Sequence, residues 1–378
     1  MTKQSFDRYF KRQTPQPITT PTAFDVIEDT PVSVDALIDI LSLRRVAHGP
    51  AETTMIERYI APLKPEQDKY GNYFLTMLDA QGNEPTVAFT AHTDTVHSDL
   101  PTTTSEDTHV QNQKVKIGNH MAKLTDPFED CLGADDGTGI WILLNLIKAG
   151  VPGLYCFYRD EETGRNGSEW SARYNAERYA SIDMMLSFDR RGTTDIITHQ
   201  MGERCCSELF AEHVASAIDS QCYPDDTGSF TDSYSFMHLI PECTNVCVGY
   251  YAQHTGMERQ DLTWAAYLVN QLIAINWSIV PVERDPQAAD DLSHYTMADL
   301  LETCPDEVAS ILEEYMGLTF EDLLVMVADE QFTTTTSVLK TVDTVIASRE
   351  GDFFGPSPFP GLESLDDYPY DAEMDDFT

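Results

Sequence analysis

The sequence predicts an α/β protein: a mostly parallel, mixed sheet flanked by helices on both faces, then a small C-terminal helical region and a disordered acidic tail. Two observations lead there. Between residues 72 and 277, short apolar runs alternate with stretches of helical period, the alternation of a parallel sheet built from crossover units. Those runs, among them TVAFTA (86–91), GLYCFYR (153–159) and MMLSFDR (184–190), are mostly apolar without strict alternation. A strand with that pattern needs cover on both faces.

The elements follow in order. Val34, Leu37, Ile38 and Leu41 keep the i, i+3, i+4, i+7 spacing of an amphipathic helix, with Ser33 placed to cap it. A weaker helical stretch covers roughly 51–61. Strands are expected at NYFLTML (72–78) and TVAFTA (86–91), separated by the turn-like DAQGNEP. DGTGIWILLNLIKA (136–149) reads as a helix opening at a Gly-rich turn, followed by the strand GLYCFYR and the helix GSEWSARYNAER. MMLSFDR, SELFAEHVASAI, TNVCVGYY (244–251) and TWAAYLVNQLIAINW repeat the strand–helix alternation. No internal repeat is apparent.

The expected divisions are a flexible lead-in (1–30), a catalytic domain (31–280), a small helical region (281–348) and an acidic tail (349–378). Segments such as PDEVASILEEYM and TFEDLLVMVADE suggest three or four short helices in the third part. From Glu350 onward the tail combines many acids with several prolines and no base, a composition that cannot bury enough apolar surface to order itself. Its aromatic residues could dock a protein partner.

With 24 basic and 63 acidic residues the chain carries a formal charge of −39. That surface repels phosphates and anionic headgroups, so neither nucleic acid nor membrane is expected as a partner. The excess serves solubility, and secondarily attracts cations. No apolar run approaches the ~18 residues of a membrane span, and the N-terminal segment lacks the apolar core of a secretory signal. The eight cysteines form no C-x-x-C pair and several lie in apolar runs, as buried thiols of a reducing compartment do. The cytoplasm is the expected location.

Polar residues gather where strands end. His92-Thr93-Asp94 follows TVAFTA; Gly133-Ala134-Asp135-Asp136-Gly137 precedes the helix at 136. Asp160-Glu161-Glu162-Thr163-Gly164 follows GLYCFYR, Asp189 ends MMLSFDR, and His254 follows VCVGYY. Ligands of open α/β sheets collect at the carboxyl ends of strands. Each group alone reads as a cap or turn. Together, two imidazoles and at least three carboxylates suit two borderline divalent ions such as zinc, and the acids would repel one another without cations.

The series H-T-D, G-A-D-D-G-T-G, D-E-E-T-G, F-D and a late H-T resembles the co-catalytic di-zinc exopeptidases: zinc aminopeptidases and the related dipeptidases, carboxypeptidases and deacylases. DKYGNYFLTM (68–77) fits the same clan, and the resemblance covers about residues 33–280. It implies that Asp135 bridges two metals, across a cis Asp135–Asp136 peptide. His92 and Asp189 would complete one metal site, Glu162 and His254 the other. Asp94 would accept from the far ring nitrogen of His92. Glu161 would be the general base, although the residues alone would allow Glu161 and Glu162 to exchange roles. The cofactors implied are two divalent ions, zinc foremost, with cobalt or manganese as alternatives.

Asp189 and His254 are 65 positions apart, too few to insert a lid domain beside the intervening elements (domains run from ~50 residues upward). The chain therefore looks closest to the single-domain aminopeptidase branch, with a peptide as substrate. A dipeptidase, carboxypeptidase or deacylase acting on small N-acyl amides is the alternative, with Arg190 or Arg191 anchoring a substrate carboxylate. A non-catalytic binding protein is the third reading, disfavoured by the intact ligand set. His97 and His120 read as loop residues, Asp183 and Asp195 as solvated, and Asp232 as either a helix cap or a residue near the substrate. Oligomeric state is not legible.

Overall fold

A computed structural model describes residues 30–98, 112–126, 128 and 130–286, and scattered positions from 301 to 342. The lead-in before residue 30 and the tail from 349 lie outside these residues. The chain divides into two compact units, Met1–Ala289 and Asp290–Thr378. In the second, the described positions include buried Cys304, Val308, Leu324, Val327, Val338 and Val342.

The first unit is the expected α/β sheet. Its early strands are β1 (Glu66–Gln67), β2 (Tyr73–Met77) and β3 (Val87–His92). A hairpin of β4 (Val115–Gly118) and β5 (Met121–Leu124) follows, then β6 (Gly153–Tyr158) and β7 (Met184–Arg190). The later strands are β8 (Asp195–Ile197), β9 (His199–Gln200), β10 (Glu203–Arg204), β11 (Tyr223–Asp225) and β12 (Glu242–Cys247). β13 (Tyr250–Tyr251) and β14 (Arg259–Asp261) complete the set. Eight strands form the main sheet in the order β1-β2-β6-β3-β7-β12-β8-β11. Its central β6, β3, β7 and β12 run parallel, and antiparallel β1 and β2 close one edge. β3, β6 and β12 are buried at every position, the first two as mostly apolar runs covered on both faces.

The helices are α1 (Val34–Leu41), α2 (Pro50–Met55), α3 (Ala134–Ala149), α4 (Asn166–Tyr174), α5 (Glu208–Ile218) and α6 (Leu262–Ala274). α3 is buried almost throughout, packed on β3, β7, α1 and α6. Its all-round apolar surface explains the weak amphipathic pattern of that stretch. Ser207 and Asp261 cap α5 and α6 with side-chain bonds to main-chain N–H groups. Ser33 does not cap α1 in this way; its carbonyl instead accepts from Trp141 Nε1 at 3.0 Å, tying α1 to α3.

One local expectation is corrected, one is refined and one element is new. The stretch 244–251 is two strands, because the register shifts at Cys247 and Gly249 turns at φ +92°. The stretch 51–61 is helical as expected, α2 continuing into a π-helix at Ile56–Ile60 and a 3-10 turn at Ala61–Leu63. The hairpin β4–β5 was not expected: its turn uses Asn119 and His120 at φ +50° and +62°, without the glycine pair that marks such turns. Together β13, β14, β5 and β4 form a second, antiparallel sheet.

Candidate metal centre

Parallel β3, β6 and β7 end side by side, and their carboxyl ends deliver His92, Glu161–Glu162 and Asp189 to one edge of the sheet. The start of α3 brings Asp135, and the turn after β13 brings His254. Asp135 stands between the imidazoles. Its Oδ1 is 3.1 Å from His92 Nε2 and its Oδ2 is 3.1 Å from His254 Nε2. Glu162 Oε1 is 3.2 Å from His254 Nε2, Asp189 Oδ1 is 3.8 Å from His92 Nε2, and Glu161 Oε2 is 4.0 Å from it. All seven residues singled out in the sequence thus converge, Asp94 included.

Most of them are held from behind. The Glu258 carboxylate accepts from four successive main-chain N–H groups, Leu132 to Asp135, at 2.8–3.1 Å. Asp136 accepts from the N–H groups of His92 and Gly139, and the Asp135–Asp136 peptide is cis, as the resemblance implied. A Cβ on Gly139 would sit 2.3 Å from Asp136 Oδ1, so this close approach excludes any side chain there. Arg45 is wholly buried and donates to the carbonyls of Ile40, Thr93 and Gly133. Thr231 and Tyr250 donate to the two oxygens of Asp189.

Asp94 lies beside the far ring nitrogen of His92 and does more than meet it. His92 Nδ1 is 3.1 Å from the Asp94 main-chain oxygen and 3.5 Å from its Oδ1. A carbonyl only accepts, so Nδ1 carries the proton and Nε2 is the atom turned toward the acids. The Asp94 carboxylate accepts from the N–H groups of Glu161 and Glu162. It thereby fastens the β6 loop to the β3 loop. The remaining candidates scatter. His97 is a loop residue, buried between Thr95, Gln113 and Cys131. His120 lies in the β4–β5 turn, and Asp183 is half-buried before β7. Asp195 is half-buried and paired with Arg190. Asp232 is buried, with one oxygen lacking a hydrogen-bond partner.

The electrostatics ask for cations. Burial pushes the Asp189 carboxyl up to about 7, with the Asp135 charge adding to it. Burial likewise raises Glu161 and Asp136 well above the usual carboxylate range, and raises Glu162. Asp135 is held low, because bonds from His254 and His92 outweigh its burial, and Asp94 is lowered too, the bond and charge of His92 outweighing burial. Hydrogen bonds to Asp135 and Glu162 lift His254 to about 11. Glu162 Oε1 is buried without a well-directed donor. Nitrogen and oxygen donors of His92, Asp135 and Glu162 fall within 4.8 Å of one another, as do those of His92, Asp136 and Asp189. A mixed imidazole–carboxylate set with an orphaned buried oxygen fits borderline divalent ions. Asp136 was not foreseen among these donors, and its oxygens are already committed to main-chain N–H groups.

A cleft of about 400 Å³ opens over the cluster, lined also by Val96, Arg190, Arg191, Phe230 and Gln253. Arg190 is tied to Asp195 at 3.3 Å and Asp225 at 3.6 Å. Sequence reasoning did not find Glu258 or Arg45: an acid four residues past His254 and an arginine beside a second arginine carry no pattern of their own.

No protein-family model and no curated protein matches the sequence. Solved structures do. Aminopeptidase PepT from Bacillus cereus superposes with a TM-score of 0.50 at 13% identity, over 64% of this chain and 96% of that one. This chain shares the α/β fold of that aminopeptidase. The dodecameric PhTET1-12s gives the same TM-score at 15% identity, over 64% and 98% of the two chains. A third match, a Pyrococcus horikoshii TET1 peptidase that can assemble into a tetrahedron or a large octahedral shell, has a TM-score of 0.49 at 15% identity, over 64% and 98%. Among the described residues no helix is long and apolar enough to cross a membrane.

Proposed function

We propose that this protein is an aminopeptidase, a metal-dependent hydrolase that removes N-terminal residues from peptides. The observation that carries the reading is the carboxylate of Asp135, with one oxygen 3.1 Å from each of two imidazoles. In this reading Asp135 is shared between two ions, His92 and Asp189 hold one, and Glu162 and His254 hold the other. Zinc suits these donors best, with cobalt and manganese as alternatives. Divalent ions here supply Lewis acidity, polarising the amide carbonyl and lowering the pKa of a water.

The protein's own groups supply the rest. Glu161, buried at the cleft and raised by desolvation, takes a proton from the attacking water as its oxygen bonds to the carbonyl carbon. It returns that proton to the amide nitrogen as the C–N bond breaks. Asp94 fixes the Glu161 and Glu162 main chain, so base and ligand keep one spacing. Val96 and Phe230 give the cleft apolar walls for the departing side chain. Eight free cysteines support a reducing setting, the cytoplasm.

The test is mass spectrometry of a mixed peptide library, half with blocked N-termini, after incubation with the zinc-loaded full chain and with Glu161→Ala. Shortening of only the free-amine peptides, abolished in the variant, is the expected result. Loss of C-terminal residues, or of the blocking acyl group, would assign a carboxypeptidase or deacylase instead.

A further inference from the structure

The proposed chemistry leaves unexplained the residue next to its base. Asp160 precedes Glu161, is 5% exposed, and has its main chain in the left-handed region at φ +62°. A residue with a side chain keeps that conformation only where its surroundings hold it. Two donors do so. His48 Nε2 and the Tyr70 hydroxyl each lie 2.6 Å from the same oxygen, Asp160 Oδ2. A carboxylate oxygen accepts, so the imidazole carries its proton on Nε2 and both groups donate. Burial and the bond itself push the Tyr70 phenol up, which keeps it a donor. The main-chain oxygen of Asp160 accepts from Asn166 at 3.0 Å, and that of Glu161 from Gly164 and Arg165 at 2.9 and 2.8 Å. These bonds close the loop that carries the base.

The donors arrive from two directions. His48 stands just ahead of α2, its side chain 55% exposed, and its own N–H donates to buried Glu52 at 2.7 Å. Glu52 also accepts from Arg159, the residue before Asp160, and from Thr93, the residue after His92. Tyr70 comes from the turn at 68–72 ahead of β2, where Asp68 accepts its N–H at 3.0 Å. Neither His48 nor Tyr70 lines the cleft over the cluster. We propose that His48 and Tyr70 are positioning residues for the hydrolysis: they hold Asp160 in its left-handed turn and so fix where Glu161 stands relative to Asp135. This rests on the reading of Glu161 as the base. Both act through Asp160, from outside the cleft.

The experiment uses the zinc-loaded full chain carrying His48→Leu, Tyr70→Phe, or both. Tyr70→Phe removes the hydroxyl and keeps the ring beside Trp170. His48→Gln is the conservative control, because its amide nitrogen can donate from nearly the place of Nε2. On a free-amine peptide that the wild type shortens, kcat should fall about tenfold in each single variant and about a hundredfold in the double, the scale for a misplaced catalytic group. KM and zinc content should stay at the wild-type level, and His48→Gln should recover most of the loss. Hydrogen exchange read by mass spectrometry needs no turnover. Amides of residues 161–167 should exchange about tenfold faster in the double variant while those of β3 keep their protection. An unchanged kcat in the double variant, a loss of kcat matched by loss of zinc, or His48→Gln as slow as His48→Leu overturns the proposal. So does unchanged exchange at 161–167. If the wild type shortens no peptide, the aminopeptidase reading fails; faster exchange in the double variant then keeps the hold on Asp160, and unchanged exchange removes it too.

Discussion

Glu258 accepts the main-chain N–H of Asp135 at 3.1 Å, and the three preceding N–H groups with it. It lies four residues after His254, so one loop presents an imidazole to Asp135 and fastens the chain that carries Asp135. Glu258→Ala would leave four buried N–H groups unpaired at about 1–3 kcal/mol for each that water cannot reach. The expected result is a drop in stability of about 3–5 kcal/mol, the scale for breaking a buried charged network, together with loss of bound metal. Urea unfolding and elemental analysis of the purified variant measure both.

Glu161→Gln should separate chemistry from metal binding. The amide cannot take a proton, so kcat is expected to fall about 10²- to 10⁴-fold while metal content stays at the wild-type level. Asp135→Asn, in contrast, removes charge from the group between the two imidazoles and should lower metal content itself. Equal metal loss in both variants would return Glu161 to the ligand set.

Stripping divalent ions with a chelator should lower the melting temperature, because buried acids around Asp135 lose their counter-charge. Returning zinc at a hundredfold its Kd is expected to restore about 2.7 kcal/mol per site. Scanning fluorimetry across a zinc titration checks this, and Asp135→Asn should flatten the response.

His97 gives a pH dependence away from the cluster. Burial, helped by the charges of Arg44 and Arg45, pushes its imidazole down to about 4, against about 6.5 in an unfolded chain. Between those values the unfolded state binds the extra proton, so stability falls as pH drops from 6.5 toward 4. The wild type should lose about 2 kcal/mol more than His97→Gln between pH 7 and pH 5, read from urea midpoints at both pH values.

Arg45 is a wholly buried cation that binds three carbonyls at the hinge of the Asp135 loop. Arg45→Lys keeps the charge but cannot span all three acceptors, and should cost less than Arg45→Met. The larger loss in Arg45→Met, about 3–5 kcal/mol, reflects the nearby charges of Asp136, Glu258 and Asp94 that Arg45 offsets. Thermal melts of the two variants order them.

The sequence by itself determined the central sheet and the acids and imidazoles at its edge. Apolar runs such as Val87–His92 are buried on both faces and must be internal strands, and a polar residue directly after such a run emerges at a strand end. Local pattern suffices for that. It could not show that Asp94 turns its carboxylate to the main chain of Glu161 and Glu162, or that the β4–β5 hairpin exists, since its turn carries no glycine pair. Nor could it separate Arg190 from Arg191, which are equivalent neighbours in sequence. Only the tertiary structure brings Asp195 and Asp225 onto one of them and Glu258 onto the loop of Asp135. Such partners are chosen by chain segments up to 126 residues apart, and that distance leaves no trace in the local order of residues.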